Sequence, residues 1–287
     1  MLMRQTAVLL LSCLGMLFLV SCSSGPTPPK MGTPEWYWVA AHDQFAAGDL
    51  AKTQEHLEKV VAVDNPFKSR AATWYLVLLA GMALGQKELA DAYDAGSTET
   101  KTQSSDFRRK QAEAQRLSKQ YCITLAQELD RFQKEMGNAT EYSLEFKVPP
   151  ADSSQEAALG RIKKGFLPPD SERAKAERST VARGVLLEAT SVIGAGDDTA
   201  KAAAAFENQP VKVPRAVFLY GLAQSLVEQS KIFDRKRLNE PDKKKLLLQM
   251  ASDCLKPAAE GDDADLKKKA KALAEKIAKE QKTGGKA

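Results

Sequence analysis

The amino-acid sequence predicts an all-α protein, built from helical hairpins stacked in an irregular solenoid with two long helices. Ala, Leu, Lys, Glu and Gln recur through long stretches and lose little side-chain freedom in a helix, whereas β-branched runs are rare. Apolar residues repeat at helical spacing along most of the chain after residue 33. Hydrophobic residues make up 43% and charged residues 28% of the chain, which is typical of a folded protein.

The charge balance argues against a nucleic-acid partner. The chain has 42 Lys and Arg residues and 37 Asp and Glu residues, which gives a net charge of +5. A nucleic-acid-binding protein normally concentrates a larger basic excess on one surface. Here the excess is confined to the C-terminal end, so we expect no nucleic-acid partner.

The first 21 residues carry the charge pattern of a secretory signal peptide. Arg4 precedes residues 7–20, which are apolar apart from Ser12. This run of roughly 14 residues is shorter than the about 20 residues that a helix needs to cross a bilayer. We therefore expect the segment to be removed during export.

The signal segment ends in a motif that resembles the lipobox of bacterial lipoproteins. Leu19, Val20 and Ser21 place apolar and small residues directly before Cys22. The resemblance implies cleavage after Ser21, a diacylglyceryl thioether on Cys22 and often a third acyl chain on the new amino group. Two or more acyl chains hold a protein stably on a membrane. A plain signal peptide cut near Cys22 and an uncleaved short anchor are the alternatives.

Residues 22–33 predict a tether between the lipid and the folded body. Residues 23–29 are small or proline, which favours neither a helix nor a central strand. In the lipoprotein family, an aspartate after the cysteine is associated with inner-membrane retention in many Gram-negative species. Ser23 stands there instead, so the resemblance implies the periplasmic face of the outer membrane, if the organism has one.

Residues 34–63 predict a helical hairpin. Gly48 and Asp49 interrupt an apolar pattern of helical spacing, and Asn65 and Pro66 end the second helix. The pattern consists of Tyr37, Trp38, Ala41, Phe45, Leu50, Thr53, Leu57, Val60 and Val61. Early aromatic residues and a Gly-Asp turn make this unit resemble a tetratricopeptide repeat.

A second repeat is predicted from residue 71. Trp74 and Tyr75 correspond to the first aromatic pair, and Gly85 corresponds to Gly48, 37 residues earlier (85 − 48), close to the family period of about 34. In such repeats the first helices line a groove that takes peptides. The resemblance implies that the groove is lined by Trp38, His42, Phe45, Tyr75, Leu79 and Met82. Packing in the core is the alternative for these side chains.

The rest of the chain predicts further helices and one strand. An apolar stripe predicts a long helix over residues 107–136, and residues 142–148 alternate as in a strand. A second long helix is expected from Asp170 or Ser171 to Ile193. Further helices are predicted over residues 153–164, 200–206, 214–232, 246–254 and 265–281.

Cys122 and Cys254 are the thiols that remain if Cys13 leaves with the signal peptide and Cys22 is acylated. An exported protein can oxidise such a pair, so a disulfide between them is possible. Each cysteine also sits near an apolar helix face, and buried free thiols are the alternative.

The sequence predicts no metal and no cofactor other than the lipid. His42 and His56 are the two histidines, and neither has the spacing of a metal-ligand motif. No phosphate-binding loop or nucleophile motif is present in the sequence.

These patterns together predict a non-enzymatic envelope lipoprotein that binds a protein or peptide partner through a helical groove. The alternatives are an envelope enzyme acting on glycan through carboxylates in a helical cleft and a purely structural lipoprotein. The lysine-rich helix near the C-terminus either contacts anionic lipid or an acidic partner, or caps the stack in solvent. The predicted regions are the signal peptide (1–21), the tether (22–33), the N-terminal helical region (34–138), a connector (139–169), the C-terminal helical region (170–262) and a basic helix with its tail (263–287).

Overall fold

The computed structural model describes residues 28–147, 154–196, 198–207 and 210–284. The predicted signal peptide, the lipidation site Cys22 and residues 22–27 of the predicted tether lie outside these residues. Val148, at the end of the predicted strand, lies outside them as well.

The all-α prediction is confirmed, and the only sheet among the described residues has two short strands. These strands are Glu141–Leu144 (β1) and Val211–Pro214 (β2), and a short 3-10 helix spans Lys231–Phe233. The α-helices are Pro34–Ala46 (α1), Leu50–Val61 (α2), Lys68–Glu99 (α3), Ser104–Met136 (α4), Ser154–Lys163 (α5), Asp170–Val192 (α6), Thr199–Glu207 (α7), Arg215–Ser230 (α8), Pro241–Glu260 (α9) and Ala264–Gly284 (α10).

Helices α1 and α2 form the predicted hairpin, and side-chain caps fix both of its N-termini. The Thr33 hydroxyl accepts a hydrogen bond from the Trp36 backbone N–H at 3.3 Å, and the Asp49 carboxylate accepts one from the Lys52 N–H at 3.1 Å. Gly48, at φ +76°, adopts the left-handed conformation that ends α1. The predicted Gly-Asp turn is therefore present.

Helix α3 is the centre of the fold. Residues 73–83 are buried on every side of the helix, as their nearly unbroken apolar sequence requires. Helices α4 and α6 pack along α3, while α2, α5 and α8 also contact it. Helix α9 packs against α8, and α10 packs against α9. One hydrophobic core therefore runs through both predicted helical regions.

The predicted turn at Gly85 is wrong, because α3 continues through it as one helix of 32 residues. Gly85 instead lets two helices touch: a Cβ atom on it would lie 2.5 Å from Val181 Cα in α6. A Cβ atom on Gly81, one turn earlier, would lie 2.3 Å from Val185 Cα. From α6, a Cβ on Gly184 would lie 2.3 Å from the Gly81 carbonyl oxygen. The second hairpin predicted from residue 71 is therefore absent.

The predicted strand is shorter than its alternating pattern, since it ends at Leu144, and it pairs with a segment that the sequence did not reveal. Strands β1 and β2 are antiparallel, with Tyr142 opposite Val213 and Leu144 opposite Val211. The second strand has four residues and ends in a proline, so it gives no recognisable alternating pattern. The pairing connects the segment after α4 to the start of α8, and it buries Tyr142 and Leu144.

Cys122 and Cys254 are separate, buried free thiols, so the possible disulfide is not formed. The Cys122 thiol lies 3.5 Å from Gln229 Oε1, whereas Gln133 Nε2 donates to Cys254 Sγ at 3.5 Å. Cys122 and Gln133 are about 16 Å apart along α4 at 1.5 Å per residue, and a disulfide needs Cα atoms within about 7 Å. Burial raises the pKa of both thiols to about 12.

We expect neither thiol to react with iodoacetamide in the native protein at pH 8, because each is buried and remains protonated. Both should react after denaturation without a reductant. Mass spectrometry of the alkylated peptides measures this directly. A peptide pair cross-linked through Cys122 and Cys254 would contradict the structure.

Candidate functional site

The structure buries most of the side chains that the sequence assigned to a groove. Trp38, Phe45, Tyr75 and Leu79 are between 0 and 6% exposed and belong to the hydrophobic core. A partner cannot reach them, so their assignment as partner-binding residues is corrected to core packing. Met82 is also buried, but its side chain lines the open cleft described below.

His42 is half-buried between two tryptophans rather than presented to a partner. Its ring lies 4.6 Å from Trp38 and 4.8 Å from Trp74, measured between centroids. Burial lowers the pKa of this histidine, which favours the neutral form. Phe45 and Phe146 contact Trp74 at 5.4 Å, so this aromatic cluster joins the first hairpin to α3 and the segment after β1. The cluster stabilises the fold.

A large cleft opens on another side of α3, with a volume of about 630 Å³. Its walls are the turn between α1 and α2, the middle of α3, one residue of α4 and the first half of α6. The lining residues are Ala47, Gly48, Asp49, Leu50, Ala51, Met82, Gln86, Tyr121, Ala174, Glu177, Arg178 and Val181. Its volume falls in the range of about 300–1,000 Å³ that is typical of binding sites.

The cleft combines an apolar floor with a few polar groups at its edge. Leu50, Met82 and Val181 are buried apolar residues that line it. Tyr121 is half-buried, burial raises the pKa of its hydroxyl, and the protonated hydroxyl can donate or accept a hydrogen bond. Gln86 adds an amide. Such a surface can bind an apolar side chain and hydrogen-bond a neighbouring polar group.

Arg178 carries an uncompensated charge in the cleft. Its side chain is exposed, and it forms no ion pair with any acidic residue in the described part of the chain. The other charges are matched: Asp49 pairs with Lys52 at 3.4 Å. Glu177 accepts a hydrogen bond from the Tyr93 hydroxyl at 2.6 Å and lies 3.6 Å from Lys110 Nζ. The cleft therefore favours an anionic or carbonyl group beside Arg178.

No group of three or more His, Cys, Asp and Glu side chains that could hold a metal ion occurs within the described ranges. The two histidines are in separate environments, since His56 contacts Trp36 and Tyr37, with centroids 5.6 and 5.8 Å away, and His42 contacts Trp38 and Trp74.

Glu188 is the only fully buried carboxyl group among the described residues. It lies on α6, where it accepts a hydrogen bond from the Ser225 hydroxyl of α8, and its Oε1 atom has no partner. Desolvation raises its pKa to about 8. It does not line the cleft, so we assign it to the core.

The lysine-rich helix α10 uses its apolar face inside the fold. Ala270 and Ile277 are buried, and Leu266 and Leu273 pack against the core beside α9. The side chains of Lys267, Lys268, Lys269, Lys271, Lys276, Lys279 and Lys282 are exposed. The apolar face of α10 therefore packs on the fold, as in a terminal cap, and only the lysine face is presented to solvent.

None of the helices in the described ranges is long and apolar enough to cross a membrane. Comparison with known proteins adds no assignment: no protein-family model matches the chain, and no curated protein matches it significantly.

Proposed function

We propose that the protein is a lipid-anchored envelope protein that holds a protein or peptide partner in the cleft between the α1–α2 turn, α3, α4 and α6, without catalysing a reaction. The cleft of about 630 Å³ is the observation that carries the proposal. Its apolar floor and its unpaired arginine suit recognition. The anchor is supported by the lipobox-like residues before Cys22.

Binding would combine apolar burial with one directional polar contact. An apolar side chain of the partner would pack on Leu50, Met82 and Val181. Full burial of such a side chain contributes about 1.5–3 kcal/mol. Arg178 would pair with a carboxylate of the partner, and a hydrogen bond to a charged group contributes about 1.5–3 kcal/mol. We therefore expect the partner segment to carry an acidic residue, or a chain-terminal carboxylate, next to a large apolar residue.

The lipid anchor would keep this cleft close to a membrane. Acyl chains on Cys22 would hold the protein on the bilayer, on the periplasmic face of the outer membrane in a Gram-negative cell. A partner held on the same membrane would meet the cleft at a raised local concentration.

Photo-cross-linking from the cleft tests the binding proposal. A benzophenone amino acid at Ala51 or Ala174, on opposite walls, should cross-link one envelope protein or peptide in living cells. The same probe at Lys134, which is exposed and does not line the cleft, should not. The cross-linked segment should contain the acidic and apolar residues described above.

Charge reversal at Arg178 should reduce this cross-link about tenfold or more, because the change removes an attractive contact and adds a repulsive one. Arg109→Glu is the control, since Arg109 is also an exposed helical arginine, on α4, and does not line the cleft. Cross-links that persist in Arg178→Glu, or that disappear equally in Arg109→Glu, would contradict the proposed site.

A further inference from the structure

A cluster of partly exposed aromatic and apolar side chains lies on the α1–α2 hairpin. Trp36 contacts Tyr37 and His56 with ring centroids 5.1 and 5.6 Å away, and all three rings are half-buried. Val39 lies one turn after Trp36 on the same face of α1 and is 42% exposed. Met31, in the turn directly before α1, is 78% exposed. We call these five residues the hairpin patch.

The hairpin patch is separate from the aromatic cluster around Trp74. Trp38 and Trp74 are 6% and 0% exposed, so Trp36 is the tryptophan that solvent or another surface can reach. No described residue accepts a hydrogen bond from its indole N–H. Met31 and Val39 are two of the five large hydrophobic residues that are exposed among those described. Partly exposed tryptophan and tyrosine are enriched at interfaces, where one end of the ring is apolar and the other is solvated.

We infer that the hairpin patch rests on the membrane surface, with Trp36 and Tyr37 at the level of the lipid headgroups. This inference depends on the lipid anchor at Cys22 that is proposed above. The chain length supplies the first argument: six residue steps separate Cys22 from Pro28, which span at most about 22 Å even when fully extended. The patch begins three residues later, so a lipidated Cys22 keeps it beside the bilayer at a high effective concentration.

The chemistry of the patch supplies the second argument. Tryptophan and tyrosine have an apolar body and a polar tip, and they concentrate at the boundary between lipid and water. Exposed charges of both signs lie beside the rings: Lys30 directly precedes Met31 and Lys59 lies one turn after His56, while Glu35 and Glu55 are exposed next to Trp36 and His56. Because these charges offset one another, the match to a bilayer rests on the aromatic and apolar side chains. A bilayer surface therefore matches the aromatic and apolar side chains of the patch.

The orientation that follows has a consequence for the cleft. The hairpin patch and the cleft both involve the first hairpin, but the cleft is built on the turn at residues 47–51, at the opposite end of α1 from Met31 and Trp36. Helix α1 has 13 residues, so about 20 Å of helix separates the two ends. A patch on the membrane therefore leaves the cleft open to a partner.

Tryptophan fluorescence tests the inference in the complete lipidated protein. The protein would be reconstituted into vesicles of phosphatidylethanolamine and phosphatidylglycerol, with and without bromine atoms on the acyl chains near the headgroups. Brominated lipid should quench the emission of one of the three tryptophans. Trp36→Phe should abolish this quenching, whereas Trp38→Phe, which changes a core residue to another aromatic, should keep it. Circular dichroism confirms that each variant is folded.

Flotation of the same vesicles separates the patch from the anchor. If the wild-type protein floats with the vesicles but brominated lipid does not quench Trp36, the patch inference is overturned and the proposed anchor stands. If the wild-type protein is not recovered with vesicles, or Cys22→Ala is processed and bound like the wild type, the anchor fails and the inference fails with it. Quenching that survives Trp36→Phe would also overturn the patch.

Discussion

Replacing Gly184 with alanine should destabilise the protein by about 3 kcal/mol, because a methyl group at this position would collide with the backbone of α3. The added Cβ would lie 2.3 Å from the Gly81 carbonyl oxygen and 2.6 Å from the Gly85 nitrogen. No side-chain rotation relieves such contacts, since the opposing atoms are main chain. The two helices would have to move apart, and the buried residues around Val185 would lose their packing.

Helix propensity works against this result and must be controlled. Alanine is favoured over glycine inside a helix by about 1 kcal/mol, so only a steric clash predicts a net loss. Gly160 is the matched control, because it is also helical and a Cβ atom on it would have no neighbour within 4 Å. Gly160→Ala should leave stability unchanged or raise it slightly. Urea unfolding measures both variants, and a stable Gly184→Ala protein would show that α3 and α6 do not touch here.

Glu188→Gln should remove a pH dependence of stability between about pH 4.5 and pH 8. In the folded protein, burial disfavours the Glu188 anion and raises the pKa of this carboxyl to about 8. In the unfolded chain, the carboxyl releases its proton at its ordinary pKa. The folded state therefore binds more protons in this window. The Glu188 carboxyl therefore contributes its full stabilisation below the pKa that it has in the unfolded chain. This stabilisation is lost as the pH rises toward 8, by up to about 1.4 kcal/mol per pH unit.

The amide variant isolates this effect, because glutamine keeps a hydrogen-bonding oxygen for the Ser225 hydroxyl and does not ionise. Between pH 4 and pH 7, the free energy of unfolding of the wild type should fall by on the order of 3 kcal/mol more than that of Glu188→Gln. Urea unfolding across this range supplies the two curves. Glu260→Gln, an exposed change at the end of α9, should follow the wild type. Parallel curves for the wild type and Glu188→Gln would contradict a buried, protonated carboxyl.

The elements that the sequence predicted are those whose signal is local. The apolar stripe from Phe107 to Met136 predicted a long helix, and α4 follows it with its buried face on Leu125, Leu129 and Phe132. The turn at Gly48 and Asp49 was also predictable, because a glycine with positive φ and a capping aspartate act within a few residues. Strand β2 was missed, since four residues ending in proline carry too short a pattern.

The candidate site was largely hidden from the sequence. Of the six residues assigned to a groove, Met82 alone lines the cleft. Trp38 and Tyr75 have the spacing of groove aromatics, yet both are buried once Trp38 of α1 packs on Trp74 and helices α2 and α4 pack on α3. Arg178 had no distinguishing pattern, and Tyr121 stood out only as a member of the apolar stripe of α4. They face one cleft only because α4 and α6 pass the hairpin turn from distant parts of the chain.

By itself, the sequence determined the helical class, the first hairpin and the long helix α4, because backbone propensity, capping and apolar periodicity act over a few neighbouring residues. The tertiary structure decided what Gly85 does. A glycine in an apolar run permits either a turn or a close contact between helices, and only the presence of Val181 and Gly184 of α6 opposite α3 selects the contact. It likewise decided which aromatics are core and where the cleft opens, since both depend on surfaces that meet only after the chain has folded.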